Sequence, residues 1–350
     1  MNQLMECVKS VLLKLNNKYI IDEDTLKLAD ESHLIPFLAL SLDNNTKDEI
    51  KSIISNKLNA YILYDSMLEE EYKKLTTLLN ENKIQYSILK GMHLKRYYPE
   101  SYLRFMCDID VLVNKEDFNK AGKLLLGMGY TKGEFSNHDQ AYDKKPFTIE
   151  LHYKLISQKE YGGAYFSNPF SLMEKKDNSY EYVFKRKEDE YLYYLFHLLK
   201  HYEEYGIGLR NFIDLYLFYK NNELDFTFIE SKYKETAFDN DCIYLEGFIK
   251  SLLDDKEEYK ELLDAIINDK TYGSMHKMME KELEKDSSFK WLLKKIFPNL
   301  KYMKNRYSVL RHKIGYLLLP FLYIHHWIYY GIIRIGYSLK KYKHAKEIKK

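Results

Sequence analysis

Four short segments in the middle of the chain have the polar and apolar alternation, or the bounding turns, that predict β-strands. They cover residues 84–89, 106–113, 130–135 and 147–152. On both sides of this region, apolar residues recur at about every third or fourth position, which is the spacing of amphipathic helices. The sequence therefore predicts an α+β fold in which a small mixed sheet is preceded and followed by helices.

Changes in this pattern also predict how the chain is divided. We expect a helical prefix over residues 1–82, then a core over 83–156 with the order strand, helix, strand, helix, strand, strand. Paired glycines and an Asn-Pro step indicate a loop-rich connector over 157–185. A helical domain over 186–310 and an apolar, aromatic helix with a basic tail over 311–350 complete the prediction.

The second and fourth predicted strands each carry acidic residues on one face. A strand's period of two places Asp108 and Asp110 opposite the face of Ile109. The same period places Glu150 beside His152, a further candidate for the cleft. If these strands are neighbours, three carboxylates converge into a donor set for Mg²⁺, or for Mn²⁺ in its place. An Asp-x-Asp pair can also be the polar face of an edge strand, and the pattern leaves both readings open.

A glycine turn follows the first predicted strand. Gly91 comes after Lys90 at the step from strand to helix, where backbone N–H groups can approach an anion. Lys90 would supply a point charge for a phosphate, and Arg104 a planar fork for bidentate contact. We predict nucleotide binding by these three residues. An ordinary turn and a solvated arginine are the alternatives.

The order of these segments is similar to that of a known family. The run LKG at 89–91 precedes DIDVLV at 108–113, and IELH at 149–152 follows. In this order the sequence resembles the uncharacterised nucleotidyltransferase family of the DNA polymerase beta superfamily, most densely over 84–156. The resemblance implies a polymerase-beta-like nucleotidyltransferase sheet, with residues 83–156 as the catalytic core.

The resemblance also implies roles for single residues. Asp108 and Asp110 correspond to metal ligands, and Glu150 corresponds to the third carboxylate of the superfamily. Lys90 and Gly91 correspond to the phosphate-binding glycine turn. The superfamily's usual turn is Gly-Ser, and it lies closer to the first metal carboxylate than Gly91 lies to Asp108.

The resemblance continues less specifically through residues 191–219, where the family has a helical, histidine-rich stretch. His197 and His201 are four residues apart and therefore share a helix face. Arg210 and Asp214 follow in the same stretch. We expect these four side chains to line the cleft opposite the carboxylates and to select the acceptor. Core hydrogen bonding and a zinc site are the alternatives, and the zinc site lacks an HExxH pattern and a nearby cysteine.

Composition narrows the function classes. The net charge is +2, and no basic stripe with interleaved aromatic residues precedes the C-terminal region, so nucleic-acid binding is not indicated. The three cysteines are widely spaced, which favours reduced thiols over a disulfide framework. The first residues lack a basic region followed by a long apolar run, so we expect a cytoplasmic protein.

The C-terminal region has a different character. Residues 314–333 contain no Asp, Glu, Lys or Arg, but they include Pro320 and several aromatic side chains, and a lysine-rich tail follows. This segment could close the core of the helical domain. It could instead make peripheral contact with an anionic inner membrane leaflet, or cross a bilayer.

Taken together, these features predict a Mg²⁺-dependent enzyme that moves a nucleoside monophosphate from an NTP, such as ATP, to a hydroxyl-bearing acceptor with release of pyrophosphate. The motifs leave the acceptor open among a small hydroxylated metabolite, a sugar intermediate, a protein side chain and an RNA end. The alternatives are a non-catalytic nucleotide-binding protein and a membrane-associated accessory protein of surface-polymer biosynthesis. The presence of all three carboxylates favours the enzyme.

Overall fold

The computed structural model describes residues 2–135, 139–156, 162–204, 207–236, 239–254, 256–268 and 318–326. The chain forms two compact units, residues 1–272 and residues 273–350. The helical prefix, the sheet and the first five helices that follow the sheet all belong to the first unit.

The first 82 residues contain four helices, as the apolar spacing predicts. Their helices are α1 (Gln3–Leu12), α2 (Glu23–Glu31), α3 (Ile35–Leu40) and α4 (Asp48–Glu81). The side chains of Asn2 and Asp22 cap α1 and α2 by accepting hydrogen bonds from backbone N–H groups in the first turn. The long α4 leads directly into the sheet.

A five-stranded mixed sheet follows α4. Its strands are β1 (Tyr86–Ile88), β2 (Asp108–Val113), β3 (Thr131–Phe135), β4 (Asp139–Lys144) and β5 (Phe147–His152). They lie in the order β1-β2-β5-β4-β3. Strands β2 and β5 are parallel, and the other neighbours are antiparallel. The short helix α5 (Gly91–Leu94) joins β1 to β2, and α6 (Phe118–Gly127) lies between β2 and β3.

The two faces of the sheet pack against different helices. On one face, the apolar alternate residues of β2 and β5 are buried against α4 and α6, through Leu75 and Leu79 of α4 and Leu125 of α6. On the other face, Leu112 joins the large cluster that contains the buried residues of the helix at Lys187–Glu204, the first helix after the sheet. The polar positions of β2 and β5 therefore face that helix, and the candidate site lies on this side of the sheet.

Strand β4 was missing from the predicted core. Its sequence, DQAYDK, contains no β-branched residue and three charged residues, so the pattern resembles a loop. In the structure Gln140 and Tyr142 are buried while Asp143 is exposed, and β4 pairs with β5 along its whole length. The Gln140 amide donates to the carbonyls of Gly133 and Ala141, which makes a polar residue acceptable inside.

The predicted loop-rich connector contains a small second sheet. Strands β6 (Met173–Lys175) and β7 (Tyr182–Phe184) pair antiparallel, and Glu181 forms an isolated bridge to Tyr86 in β1. The connector therefore contains two short strands in addition to its loops. The short strands lie between turn residues, which dominate the sequence pattern there.

Helices follow the connector, as predicted. They are α7 (Lys187–Glu204), α8 (Leu209–Asn221), α9 (Phe226–Tyr233), α10 (Asp239–Lys250) and α11 (Lys260–Asn268). In the second unit, the described helix is α12 (Leu319–His326). The rest of the predicted helical domain, most of the apolar segment and the basic tail lie outside the described residues. Within the described ranges, no helix has the length and apolar character needed to cross a membrane.

Candidate active site

The central strands bring predicted acidic residues together. In the parallel pair, Asp110 lies opposite Glu150, and Leu112 lies opposite His152. Alternate side chains of a strand share one face, so Asp110, Glu150 and His152 meet on the side that faces α7. The His152 Nε2 atom lies 3.0 Å from Asp110 Oδ1 and 3.5 Å from Glu150 Oε2. One imidazole therefore bridges two carboxylates from neighbouring strands.

Lys90 makes a further contact with Asp110. Its Nζ atom lies 2.8 Å from the same Oδ1 atom. Burial by itself would raise the pKa of Asp110, but the charge of Lys90 and the hydrogen bond from His152 outweigh burial and lower it. Burial also opposes the charge on Lys90, yet Asp110 raises the pKa of this lysine well above its usual value. Both partners are therefore ionised at neutral pH.

Glu150 and His152 differ from Asp110 in how easily they exchange protons. The hydrogen bond from His152 lowers the pKa of Glu150, but burial and the negative charge of Asp110 outweigh it, so this pKa is raised. Burial opposes protonation of His152, but its hydrogen bonds to Asp110 and Glu150 raise its pKa to about 8. A carboxyl group with a raised pKa is suited to general acid–base chemistry.

The donor set is suitable for a divalent cation. Asp110, Glu150 and His152 each offer a ligand atom, and these atoms lie within 4.8 Å of one another. Carboxylate oxygens are the usual protein ligands of Mg²⁺, and Mn²⁺ also accepts an imidazole nitrogen. In the described part of the chain, this cluster meets the spacing of a cation site. The predicted set contained Asp108 rather than His152.

Asp108 lies at the beginning of β2, opposite Thr148. Its charge contributes to the environment of Tyr64 in α4. Burial, followed by the Cys107 thiol and the Asp108 carboxylate, raises the pKa of that tyrosine to about 12. Because Asp108 is not one of the three clustered donors, its role as a metal ligand stays a prediction.

A cavity of about 140 Å³ opens beside the clustered donors. The sheet side contributes Lys90, Glu150 and His152, and helix α7 contributes His197, Lys200 and His201. The structure therefore places His197 and His201 in the cavity together with Glu150 and His152. Ligand pockets usually measure about 300–1,000 Å³, so this cavity can hold only part of an NTP.

Both histidines on α7 are in an environment that favours the neutral imidazole. Burial and then the charge of Lys90 lower the pKa of His197 well below its usual value. The same two causes lower the pKa of His201 to about 3. The two rings pack edge to face with centroids 4.3 Å apart. Neutral imidazoles can donate and accept hydrogen bonds, which suits recognition of hydroxyl groups.

Arg104 is not placed as a phosphate ligand. Its Nη2 atom lies 2.7 Å from Asp214 Oδ2, and its Nε atom lies 3.2 Å from Asp214 Oδ1. The Nη1 atom donates to the Phe105 carbonyl. The guanidinium is therefore used in a buried bidentate pair, and the predicted phosphate contact is not present in this geometry. Sequence spacing could not show this, because the partner carboxylate lies 110 residues away.

Asp214 and Arg210 connect α8 to the segment before β2. Asp214 accepts a hydrogen bond from the Tyr98 hydroxyl at 2.7 Å in addition to the two from Arg104. Arg210 donates to the carbonyl of Phe105. Neither residue lines the cavity, so the expectation that they join His197 there is wrong. They fix the position of the helical region against the loop that precedes β2.

The glycine turn has the predicted place between β1 and α5. Lys90 has a positive φ of 46°. A Cβ atom on Gly91 would lie 2.7 Å from the sulfur of Met106 and 3.0 Å from Arg104 Nη1. A side chain at this position would therefore require Met106 and Arg104 to shift. Phosphate binding by this turn stays a prediction.

Two charged residues of the cavity were not predicted from the sequence. Asp139 belongs to β4, which was not predicted, and it lies opposite His152 in the sheet. Lys200 precedes His201 on α7 and lines the same cavity. The signal for Lys200 was its spacing of three from His197, which puts both on one side of the helix.

A second polar cluster holds α5 against α7. His93 Nδ1 lies 3.2 Å from Glu190 Oε1, and His93 Nε2 lies 3.8 Å from Glu181 Oε1. Burial lowers the pKa of His93, but the hydrogen bonds to both glutamates outweigh burial and raise it. Burial raises the pKa of Glu190, but His93 and then Lys187 lower it to about 2. This cluster therefore fixes the first turns of α7 beside the glycine turn.

Comparison with known proteins identifies a family for this chain. A family model described as uncharacterised nucleotidyltransferase matches residues 21–254, which is more than half of the chain. No curated protein matches the chain. The solution structure of the antibiotic-resistance factor ANT(2'')-Ia is similar with a TM-score of 0.38 and 12% sequence identity, over 52% of this chain and 97% of that chain.

Proposed function

Because the chain belongs to the uncharacterised nucleotidyltransferase family, and is therefore an enzyme of nucleotidyl transfer, we propose a specific reaction for it. The enzyme moves a nucleoside monophosphate from an NTP to a hydroxyl-bearing acceptor, and pyrophosphate leaves. The observation that carries the proposal is the parallel register that sets Asp110 opposite Glu150 beside a cavity. A non-catalytic nucleotide-binding protein would not need a carboxyl group of raised pKa at this point.

We assign Mg²⁺, or Mn²⁺ in its place, to the carboxylates of Asp110 and Glu150, with Asp108 as a further ligand on the same strand. When bound there, the cation neutralises charge on the triphosphate. His152 holds the two clustered carboxylates together through its Nε2 atom. Lys90 contributes a positive charge on the nucleotide side of the site.

Glu150 is the base in this proposal. Its side chain is 34% exposed and lines the cavity, so a substrate hydroxyl can reach it. In this role a carboxylate oxygen of Glu150 would take the proton from the acceptor hydroxyl. The acceptor oxygen then forms a bond to the α-phosphorus, and the bond between the α-phosphorus and the bridging oxygen of pyrophosphate breaks. The proton remains on Glu150 until it is released to solvent.

The acceptor side of the cavity belongs to α7. His197 and His201 present neutral imidazoles to the cavity, and Lys200 adds a positive charge beside them. These groups suit an acceptor with several hydroxyl groups, as in a small metabolite or a sugar intermediate. We assign them the choice of acceptor and assign the phosphates to the opposite wall.

The test is transfer of label from an α-³²P-labelled NTP. Purified full-length protein is incubated with Mg²⁺, each of the four NTPs in turn beginning with ATP, and a dialysed cell extract. We expect label on an acceptor and one pyrophosphate released per transfer. Asp110→Asn, which keeps the size of the side chain, should abolish transfer, and Asp108→Asn should reduce it. Asp177→Asn in an exposed turn is the matched control.

The proposal fails if Asp110→Asn transfers label at the wild-type rate while keeping the wild-type melting curve. It also fails if no NTP binds in the presence of Mg²⁺ or Mn²⁺, as measured by calorimetry. If protease treatment releases the label, the acceptor is a protein side chain. If ribonuclease treatment releases it, the acceptor is an RNA end instead of a small molecule.

A further inference from the structure

The ion pair between Lys90 and Asp110 occupies a carboxylate that the proposed reaction needs for its cation. The Nζ–Oδ1 distance is 2.8 Å, and the two side chains are 16% and 7% exposed. His152 Nε2 contacts the same Oδ1 atom. Asp110 is therefore already neutralised by a positive side chain of the protein itself.

The backbone fixes Lys90 in this place. The N–H of Leu89 donates to the Asp110 carbonyl, which ties the residue before Lys90 to β2. On the other side, the N–H groups of His93 and Leu94 donate to the Lys90 carbonyl. Lys90 itself lies in the positive-φ region, and its side chain reaches Asp110 of β2. The pairing thus follows from the strand and the turn on either side of Lys90.

We propose that Lys90 is a tethered counter-cation that competes with the divalent metal for Asp110 and makes metal binding depend on nucleotide binding. This inference rests on the proposed function, because it concerns the same site. A divalent cation on Asp110 lies within a few ångströms of the ammonium group, and like charges repel strongly at such distances in a buried site. The protein alone therefore binds the metal weakly.

A triphosphate removes this conflict. Its negative oxygens attract both the metal and the ammonium, so Lys90 exchanges Asp110 for the phosphates when the nucleotide arrives. Metal and nucleotide then bind with positive coupling, and by linkage each increases the affinity for the other by the same factor. The order of loading is thereby set by the protein: the cation enters with the nucleotide.

The test measures Mn²⁺ binding to the full-length protein by calorimetry or electron paramagnetic resonance, without nucleotide and with a non-hydrolysable NTP analogue. Lys90→Met removes the charge and keeps the length of the side chain. We expect this variant to bind Mn²⁺ at least about tenfold more tightly than wild type without nucleotide, because one buried like charge is gone. The analogue should bind less tightly, and the coupling between the two ligands should decrease.

Two further variants keep the result interpretable. Lys90→Arg retains the charge, so its Mn²⁺ affinity should stay close to that of wild type. Lys200→Met removes the same charge from the α7 wall of the cavity. It should change Mn²⁺ affinity by less than about threefold, because the proposal assigns the competition for Asp110 to Lys90, whose Nζ atom lies 2.8 Å from Asp110 Oδ1. Melting curves for all variants show whether the fold is retained.

The inference is overturned if Lys90→Met folds and binds Mn²⁺ no more tightly than wild type. If Lys90→Met does not fold, Mn²⁺ affinity is compared between Lys90→Gln and the wild-type protein instead. The inference is also overturned if wild-type protein binds the NTP analogue with the same affinity in the presence and in the absence of Mn²⁺. Failure of the proposed function gives a different result, because no protein in the series would then bind the NTP analogue at all.

Discussion

The pair formed by Arg104 and Asp214 gives the sharpest test of the packing between the sheet and the helical region. Asp214→Asn keeps the shape of the side chain and can still accept the hydrogen bond from Tyr98. The change removes the charge that compensates Arg104. Because the side chains of Arg104 and Asp214 are only 7% and 4% exposed, water cannot replace the lost carboxylate.

The expected cost follows from this burial. Removing one partner of a buried ion pair costs about 3–5 kcal/mol of unfolding free energy, because the other charge remains buried without compensation. The remaining amide oxygen still accepts hydrogen bonds, so we expect about 3 kcal/mol for Asp214→Asn. Arg104→Met should cost a similar amount. The double variant should cost about 2 kcal/mol less than the sum of the single costs, because neither charge is then left alone.

Urea denaturation followed by circular dichroism measures these costs, with Asp177→Asn as a control that should stay within about 0.5 kcal/mol of wild type. A cost below about 1 kcal/mol for Asp214→Asn would refute the reasoning. NTP binding separates the two roles considered for Arg104. If Arg104→Met loses NTP affinity while Asp214→Asn keeps it, the arginine contacts phosphate, and its structural assignment is wrong.

Three further predictions concern other parts of the molecule. Glu150→Gln should lower the transfer rate by about 10²–10⁴-fold with a small change in metal–NTP affinity, and loss of affinity without loss of rate would make Glu150 a simple ligand. His197→Ala and His201→Ala should change acceptor preference while the Mg²⁺ dependence of the rate stays the same, and a changed Mg²⁺ dependence would contradict the acceptor role. His93→Gln should cost most stability near pH 6 and less near pH 9, because a raised pKa in the folded state gives stabilisation that is present below the ordinary pKa and is lost as pH rises through the raised one. An equal cost at both pH values in urea denaturation would show that the His93 cluster acts through packing alone.

The α+β fold and the carboxylate pair could be predicted because they depend on local periodicity. The alternation around Asp110 and Glu150 assigns both side chains to one face, and the strands are indeed neighbours. Strand β4 could not be predicted in this way, since Gln140 is buried through hydrogen bonds rather than through apolar character. The order of the strands in the sheet, which depends on β4, could therefore not be predicted either.

Residues whose partners lie far away in the sequence were the hardest to predict. Arg104 has the chemistry of a phosphate ligand. Only the folded chain shows that its guanidinium group donates two hydrogen bonds to the carboxylate of Asp214. His152 was expected in the cleft, and its position between two carboxylates became visible only when the register of β2 and β5 was known. Residue type predicts what a side chain can bind, whereas topology decides which partner it meets.

The parallel pairing of β2 and β5 has a consequence for how the protein is made. Parallel neighbours cannot be joined by a hairpin, and here the connection from β2 to β5 contains α6 and the antiparallel strands β3 and β4. His152 and Asp110 are 42 positions apart, and contacts of such separation form slowly because closing the long intervening loop costs entropy before the contact stabilises it. During synthesis, Asp108 and Asp110 therefore leave the ribosome well before the residues that complete the cation site. A nascent chain that ends before β5 carries both aspartates but cannot yet hold the metal, and the ability to bind a cation arises only when β5 pairs with β2.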